Sequence, residues 1–166
     1  MLTLPSYGVQ LENTFKRILR AAGIRQAEGD FSAPSLLLDA NRIDPKRVAR
    51  VNEFRLLNKC SAAEVLDFVY GIDHLIDVNG TDHIYAAIDL TANGSKVNEK
   101  QLKAQRLRPM WQGLGVQQFF IVHIEGDVAD LTKPGAAALI EKLWADMEQA
   151  FNGPAGRVHT ITLTLS

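Results

Sequence analysis

The sequence predicts an α/β protein: one mixed central sheet containing a β-hairpin, with helices on its faces. Three observations carry this. Segments with apolar residues at three-to-four spacing stand on both sides of a region of continuous apolar runs. Two such runs, "IDHLIDV" and "HIYAAIDLT", are joined through Asn79-Gly80, a pair that accepts the positive φ angles of a tight hairpin turn. Two further strand-like runs, "VQQFFIVHIEG" and "RVHTITLTLS", each follow a helical segment, as crossover connections require.

Taken in order, "SYGVQLENTFKRILRAAGI" is a first helix, because Val9, Leu11, Phe15, Ile18, Leu19 and Ala22 recur at helical spacing and Gly23 suits its end. Glu12 sits beside that apolar stripe, where the simplest role is a solvated first-turn charge. Residues 26–41 mix turn residues with a short apolar run, and fit a strand or a helical turn. "DPKRVARVNEFRLLNKC" is helical, with Asp44 as cap, Pro45 at the first position, and Val48, Val51 and Leu56 or Leu57 facing inward. Its cations, Lys46, Arg47, Arg50, Arg55 and Lys59, form a wet face. Ser61 and Glu64 have the spacing of a capping box before "VLDFVYG", a third helix ended by Gly71. Residues 24–70 thus form a helical insert ahead of the hairpin. After it, "VNEKQLKAQRLRPMWQGLG" returns to helical spacing, with Pro109 kinking or shortening it. "TKPGAAALIEKLWADMEQAF" is the last amphipathic helix.

The 166 residues suit one domain, 1–166, with a real core. With 46% hydrophobic and 22% charged residues the chain is globular and not disordered. A net charge of −1 disfavours a generally basic nucleic-acid binder and leaves room for a local basic face. The lone Cys60 excludes an internal disulfide and a multi-cysteine zinc site, and reads as a buried thiol. No secretory leader or membrane-length apolar stretch is visible, which points to a reducing cytoplasm.

The chemistry lies in the hairpin. Antiparallel pairing about the turn brings Asp73, early in the first strand, near Asp89 at the far end of the second. Two acids beside an apolar sheet repel and are costly to desolvate, and a divalent cation such as Mg²⁺ or Mn²⁺ relieves both costs. The alternative is that both acids stand in water at strand ends, or pair with nearby Lys and Arg side chains.

"GIDHLIDVNGTDHIYAAIDLT", preceded by the helix that carries Glu12, resembles the core of the PD-(D/E)xK nuclease superfamily of restriction enzymes and junction resolvases. Gly71-Ile72-Asp73 matches the family's first acidic position and Asp89-Leu90-Thr91 its second; the likeness covers Tyr7 to Gly23 and Gly71 to Glu125. It implies a restriction-endonuclease-like fold and Mg²⁺- or Mn²⁺-dependent cleavage of DNA phosphodiester bonds. Asp73 and Asp89 would hold the metal, helped by Glu12 and the Leu90 carbonyl. Thr91 stands where the family has a lysine. Lys100 and Lys103 on the following helix, or Lys96 in the loop before it, are the candidates to replace that lysine. Lys96, Arg106, Arg108 and cations of the insert would grip flanking phosphates, with Gln101 and Gln105 as weaker aids. Cutting two strands favours a homodimer. Because of Thr91, a second reading is a nuclease fold without catalysis that binds nucleic acid or a protein. A third is a small α/β binding module with no nucleic-acid role.

His74, His83, His123 and His159 lack metal-ligand spacing, and His123 fits a hydrogen-bonded core position. Gly113 and Gly115 follow a helix and read as its cap. Trp111 and Trp144 lie on apolar stripes and belong to the core.

Overall fold

The computed structural model describes residues 7–52, 59–78, 80, 84–126 and 135–164. Four strands form one mixed sheet: β1 (His74–Asp77), β2 (Tyr85–Thr91), β3 (Val116–Glu125) and β4 (Arg157–Thr164), in that spatial order. β1 and β2 are antiparallel, with His74 opposite Ile88 and Asp77 opposite Tyr85. β2, β3 and β4 run parallel. The hairpin and the two crossovers expected from the apolar runs are therefore present. Most of the hairpin turn itself, Asn79 and 81–83, lies outside the described residues.

Helices cover both faces. On one lie α2 (Ala33–Ile43), α3 (Pro45–Asn52), α4 (Ala62–Val65), α5 (Val97–Arg106) and α6 (Arg108–Gly113). They bury Leu36, Val65, Leu66, Ala104, Met110 and Trp111 against Leu75, Ala87, Phe119 and Ile121 of the sheet. On the other face α1 (Tyr7–Ala21) and α7 (Ala136–Ala150) pack Leu11, Phe15, Ile140 and Leu143 against Ile76, Ile88, Phe120 and Val122. The sheet is thus buried on both sides, which is why Tyr85–Thr91 is buried at every residue and shows no alternation. The crossovers β2–α5/α6–β3 and β3–α7–β4 advance in the same direction on opposite faces, so they differ in hand. One of them departs from the right-handed rule.

Local sequence accounts for the helix ends. Ser32 caps α2 by accepting from the Ser35 N–H (3.3 Å), which places a helix where the sequence left strand and turn open. Asp44 accepts from the Arg47 N–H (3.1 Å) ahead of Pro45. Ser61 and Glu64 make the expected reciprocal capping box. Pro109 sits at the start of α6, so the long helix read across it is broken in two. The inward positions proposed at Leu56 or Leu57 lie outside the described residues. The residues before α2 contribute to the sheet as well: Ala27 N–H donates to the Leu75 carbonyl (2.8 Å) and Asp77 N–H to the Arg25 carbonyl (3.0 Å). The helical insert therefore starts only after this short edge pairing.

α4 runs straight into a π-helical turn, Leu66–Tyr70, closed by Gly71 in the left-handed region (φ 72°). The wider turn adds a residue to the helix just before β1. Tyr70 anchors it by donating its hydroxyl to the Leu36 carbonyl (2.6 Å).

Candidate active site

The site lies at the edge of the sheet where β1 begins and β2 ends, the carboxyl end of the parallel strands. This is where α/β sheets usually carry ligand sites. Strand alternation turns Asp89 towards the α5 face, with Ala87 and its β3 partner Ile121. Asp73 continues β1 by one residue: its N–H donates to the Ile88 carbonyl (2.9 Å), and its Oδ2 accepts from the Leu90 N–H (2.8 Å). The hairpin register thus brings Asp73 beside the Asp89 segment, as expected from the turn.

The carboxylate grouping differs from the expected pair. Asp73 joins Glu12 from α1 and Asp67 from the π-helical turn, with one oxygen of each within 4.8 Å of the others. Asp89, almost wholly buried, instead accepts from Lys100 Nζ at 2.7 Å. Pairing with a nearby lysine, the alternative noted from the sequence, describes Asp89, whereas clustering with other acids describes Asp73. Both Glu12 and Asp67 share a hydrogen bond with Asp73.

Crowding and burial set the electrostatics. Burial raises the Asp73 carboxyl well above the usual carboxylate range, and the charges of Asp89, Glu12 and Asp67 add to this against the Leu90 N–H. Burial likewise raises Glu12 and Asp67, with their hydrogen bonds to Asp73 acting in the opposite direction. For Lys100, burial works against the charge, but Asp89 outweighs it and the ammonium is held above the ordinary lysine value. Lys103 goes the other way: burial lowers it, and the pull of Asp89 does not compensate. No side-chain hydrogen bond or ion pair occupies Lys103 among the described residues. Its Cε would lie 3.1 Å from a Cβ at Gly71, so the glycine both ends the π-helical turn and lets the lysine cross it.

Other expected residues fall elsewhere. The Thr91 hydroxyl closes a local turn with the Asn93 N–H and carbonyl (3.1 and 3.2 Å), a structural task with no charge. Lys96 is exposed and paired with Glu99 (3.5 Å). Arg106 is exposed, while Arg108 is half-buried with its Nε out of reach of any partner in the described residues. Gln101 donates to the Thr160 hydroxyl on β4, and Gln105 is exposed. His123 lies on β3 beside Gly94, its side chain 13% exposed, with Glu125 4.0 Å from Nδ1. The buried histidine is His74, packed on Phe15 (5.3 Å) and held neutral by burial, its pKa lowered to about 4. Trp111 is fully buried; Trp144 is only half so. Cys60 is half-buried, not fully buried.

Sequence reasoning missed Asp67, which sits inside an apolar helical run, and Arg47. Arg47 was placed on a wet face, yet it is half-buried and donates Nε to the Val69 carbonyl and Nη2 to the Phe68 carbonyl (3.2 Å).

The donor set fits a hard divalent cation. Octahedral ligation at about 2.1 Å puts ligand oxygens about 3 to 4 Å apart, inside the 4.8 Å within which the Glu12, Asp67 and Asp73 oxygens lie. Among the described residues no helix is long and apolar enough to cross a membrane. No family model, curated protein or solved structure matches the chain.

Proposed function

We propose that this chain is a metal-dependent nuclease of restriction-endonuclease-like fold that hydrolyses DNA phosphodiester bonds with Mg²⁺ or Mn²⁺. One observation carries the reading: carboxylates from three separate elements converge, with two lysines alongside, at the carboxyl edge of a mixed sheet. Glu12, Asp67 and Asp73 would hold the ion. When bound, such an ion lowers the pKa of a water and offsets charge on phosphoryl oxygens. The chain's own residues do the rest. The Leu90 N–H fixes the Asp73 carboxylate. Lys100 donates to Asp89 and holds it in place. Lys103, with no side-chain partner among the described residues, supplies a cation for the charge that develops on the attacked phosphate, the task left open by Thr91. The order of the likeness, with Glu12 on a first helix, Asp73 after a glycine and Asp89 on the next strand, supports the same reading.

A second reading is a catalytically silent nuclease fold that binds nucleic acid or a protein. It is favoured by the tie between Asp89 and Lys100, which keeps this carboxylate from the other three.

Cleavage of supercoiled, linear and branched DNA in Mg²⁺ or Mn²⁺ separates the two. The enzyme reading expects cleavage, reduced by about 100-fold or more in Asp73→Asn. No cleavage of any substrate, together with no cation binding by calorimetry, would sink it. DNA binding retained under those conditions would support the second reading.

A further inference from the structure

Two cations border the segment that carries Asp67 and leads into Asp73. Lys103 crosses over Gly71, with Nζ 3.4 Å from where a Cβ would stand. Arg47, on α3, is bound to the carbonyls of Phe68 and Val69. Arg50 follows Arg47 by one turn of α3 and Arg106 follows Lys103 by one turn of α5; both are exposed, and the charge of each acts on Arg47. None of these four cations forms an ion pair with a carboxylate among the described residues, whereas Lys96 and Lys100 both do.

Gathering four like charges, two of them half-buried, costs free energy that an anion would remove. The cations come from two elements, α3 and α5, so one small ion cannot reach all of them. The anion has to be extended, with charges repeated along it, and begin at the carboxylates. A phosphodiester backbone meets those conditions and suits the planar donors of arginine.

We infer that α3 and the end of α5 form a phosphate-binding track, Lys103–Arg47–Arg106–Arg50, along which a nucleic-acid backbone leaves the candidate site. This rests on the nuclease reading and sharpens it. The track runs over the helical insert, and it omits Lys96, which is paired with Glu99.

The test is the salt dependence of binding, read by fluorescence anisotropy on a labelled random-sequence DNA duplex in EDTA, so that hydrolysis plays no part. Between ~50 and ~200 mM salt, removing two phosphate contacts should reduce the slope of log affinity against log salt by about 1.8. The Arg50→Ala/Arg106→Ala double variant should therefore lose about 12-fold less affinity over that range than the unaltered protein. Lys142→Ala, exposed on α7 across the sheet, should leave the slope unchanged. An unchanged slope in the double variant, an equal fall in Lys142→Ala, or displacement of the duplex by polyglutamate at equal charge would each overturn the track. Cleavage of DNA with an unchanged slope in the double variant would overturn the track alone and leave the nuclease reading standing.

Discussion

Asp73→Asn should stabilise the metal-free protein while abolishing cleavage. The oxygens of Glu12, Asp67 and Asp73 lie within 4.8 Å of one another. At that separation two full charges repel by about 3.5 kcal/mol at an effective dielectric of about 20, and by about 1 kcal/mol in water. Glu12 and Asp67 are partly exposed, so the lower end applies. A gain of about 1–2 kcal/mol follows, a rise in Tm of about 2–8 °C for a chain of this size. Asparagine keeps an oxygen for the Leu90 N–H, and its amide can donate to the nearby Glu12 or Asp67 carboxylate. The pH dependence gives the sign independently. A carboxyl whose native pKa is raised binds its proton more tightly folded than unfolded. Its contribution is complete below the unfolded value near 4 and is lost as pH rises through the native one. Melting in EDTA should show the unaltered protein gaining stability from pH ~8 to pH ~5, and Asp73→Asn gaining distinctly less. A variant that melts lower at neutral pH, or keeps the full pH slope, would refute the reasoning.

Two other substitutions probe the frame of the site. Gly71→Ala should cost about 1–3 kcal/mol, since φ is 72° and a Cβ would press on Lys103; a urea midpoint within error of the unaltered protein would contradict this. Lys100→Ala leaves the buried Asp89 without its ammonium, and should cost about 1–3 kcal/mol after allowing for the partial exposure of Lys100. Because Asp89 holds the Lys100 ammonium above the ordinary lysine value, that contribution is complete below the ordinary value and fades as pH rises through the raised one; a loss undiminished at strongly alkaline pH by denaturant titration would count against the pairing.

What could be read in the sequence follows from period and pairing. The apolar run Tyr85–Thr91 and the Asn-Gly turn located the hairpin, and its register carried Asp73 to the Asp89 segment. The spacing of Asp89 and Lys100 put the lysine on the next helix, within reach. Asp67 was not legible, because helical spacing assumes a regular turn. The π-helical turn Leu66–Tyr70 rephases the chain, so a residue in an apolar run comes to face the cluster. Arg47 escaped for a related reason: its guanidinium bonds to backbone carbonyls, which leave no trace in side-chain patterns. Which carboxylate joins the cluster and which takes the lysine is likewise decided by side-chain reach in three dimensions.

Glu12 reaches the cluster from the layer that holds α1, and Asp67 from the opposite layer, so the carboxylates meet around the rim of the sheet. That contact joins chain segments far apart in sequence, and like charge opposes it. Among the steps of folding it is therefore one of the last to close and the first to reopen. A divalent ion bound there would act as a clasp on the finished molecule, and its site would be complete only when both layers are docked.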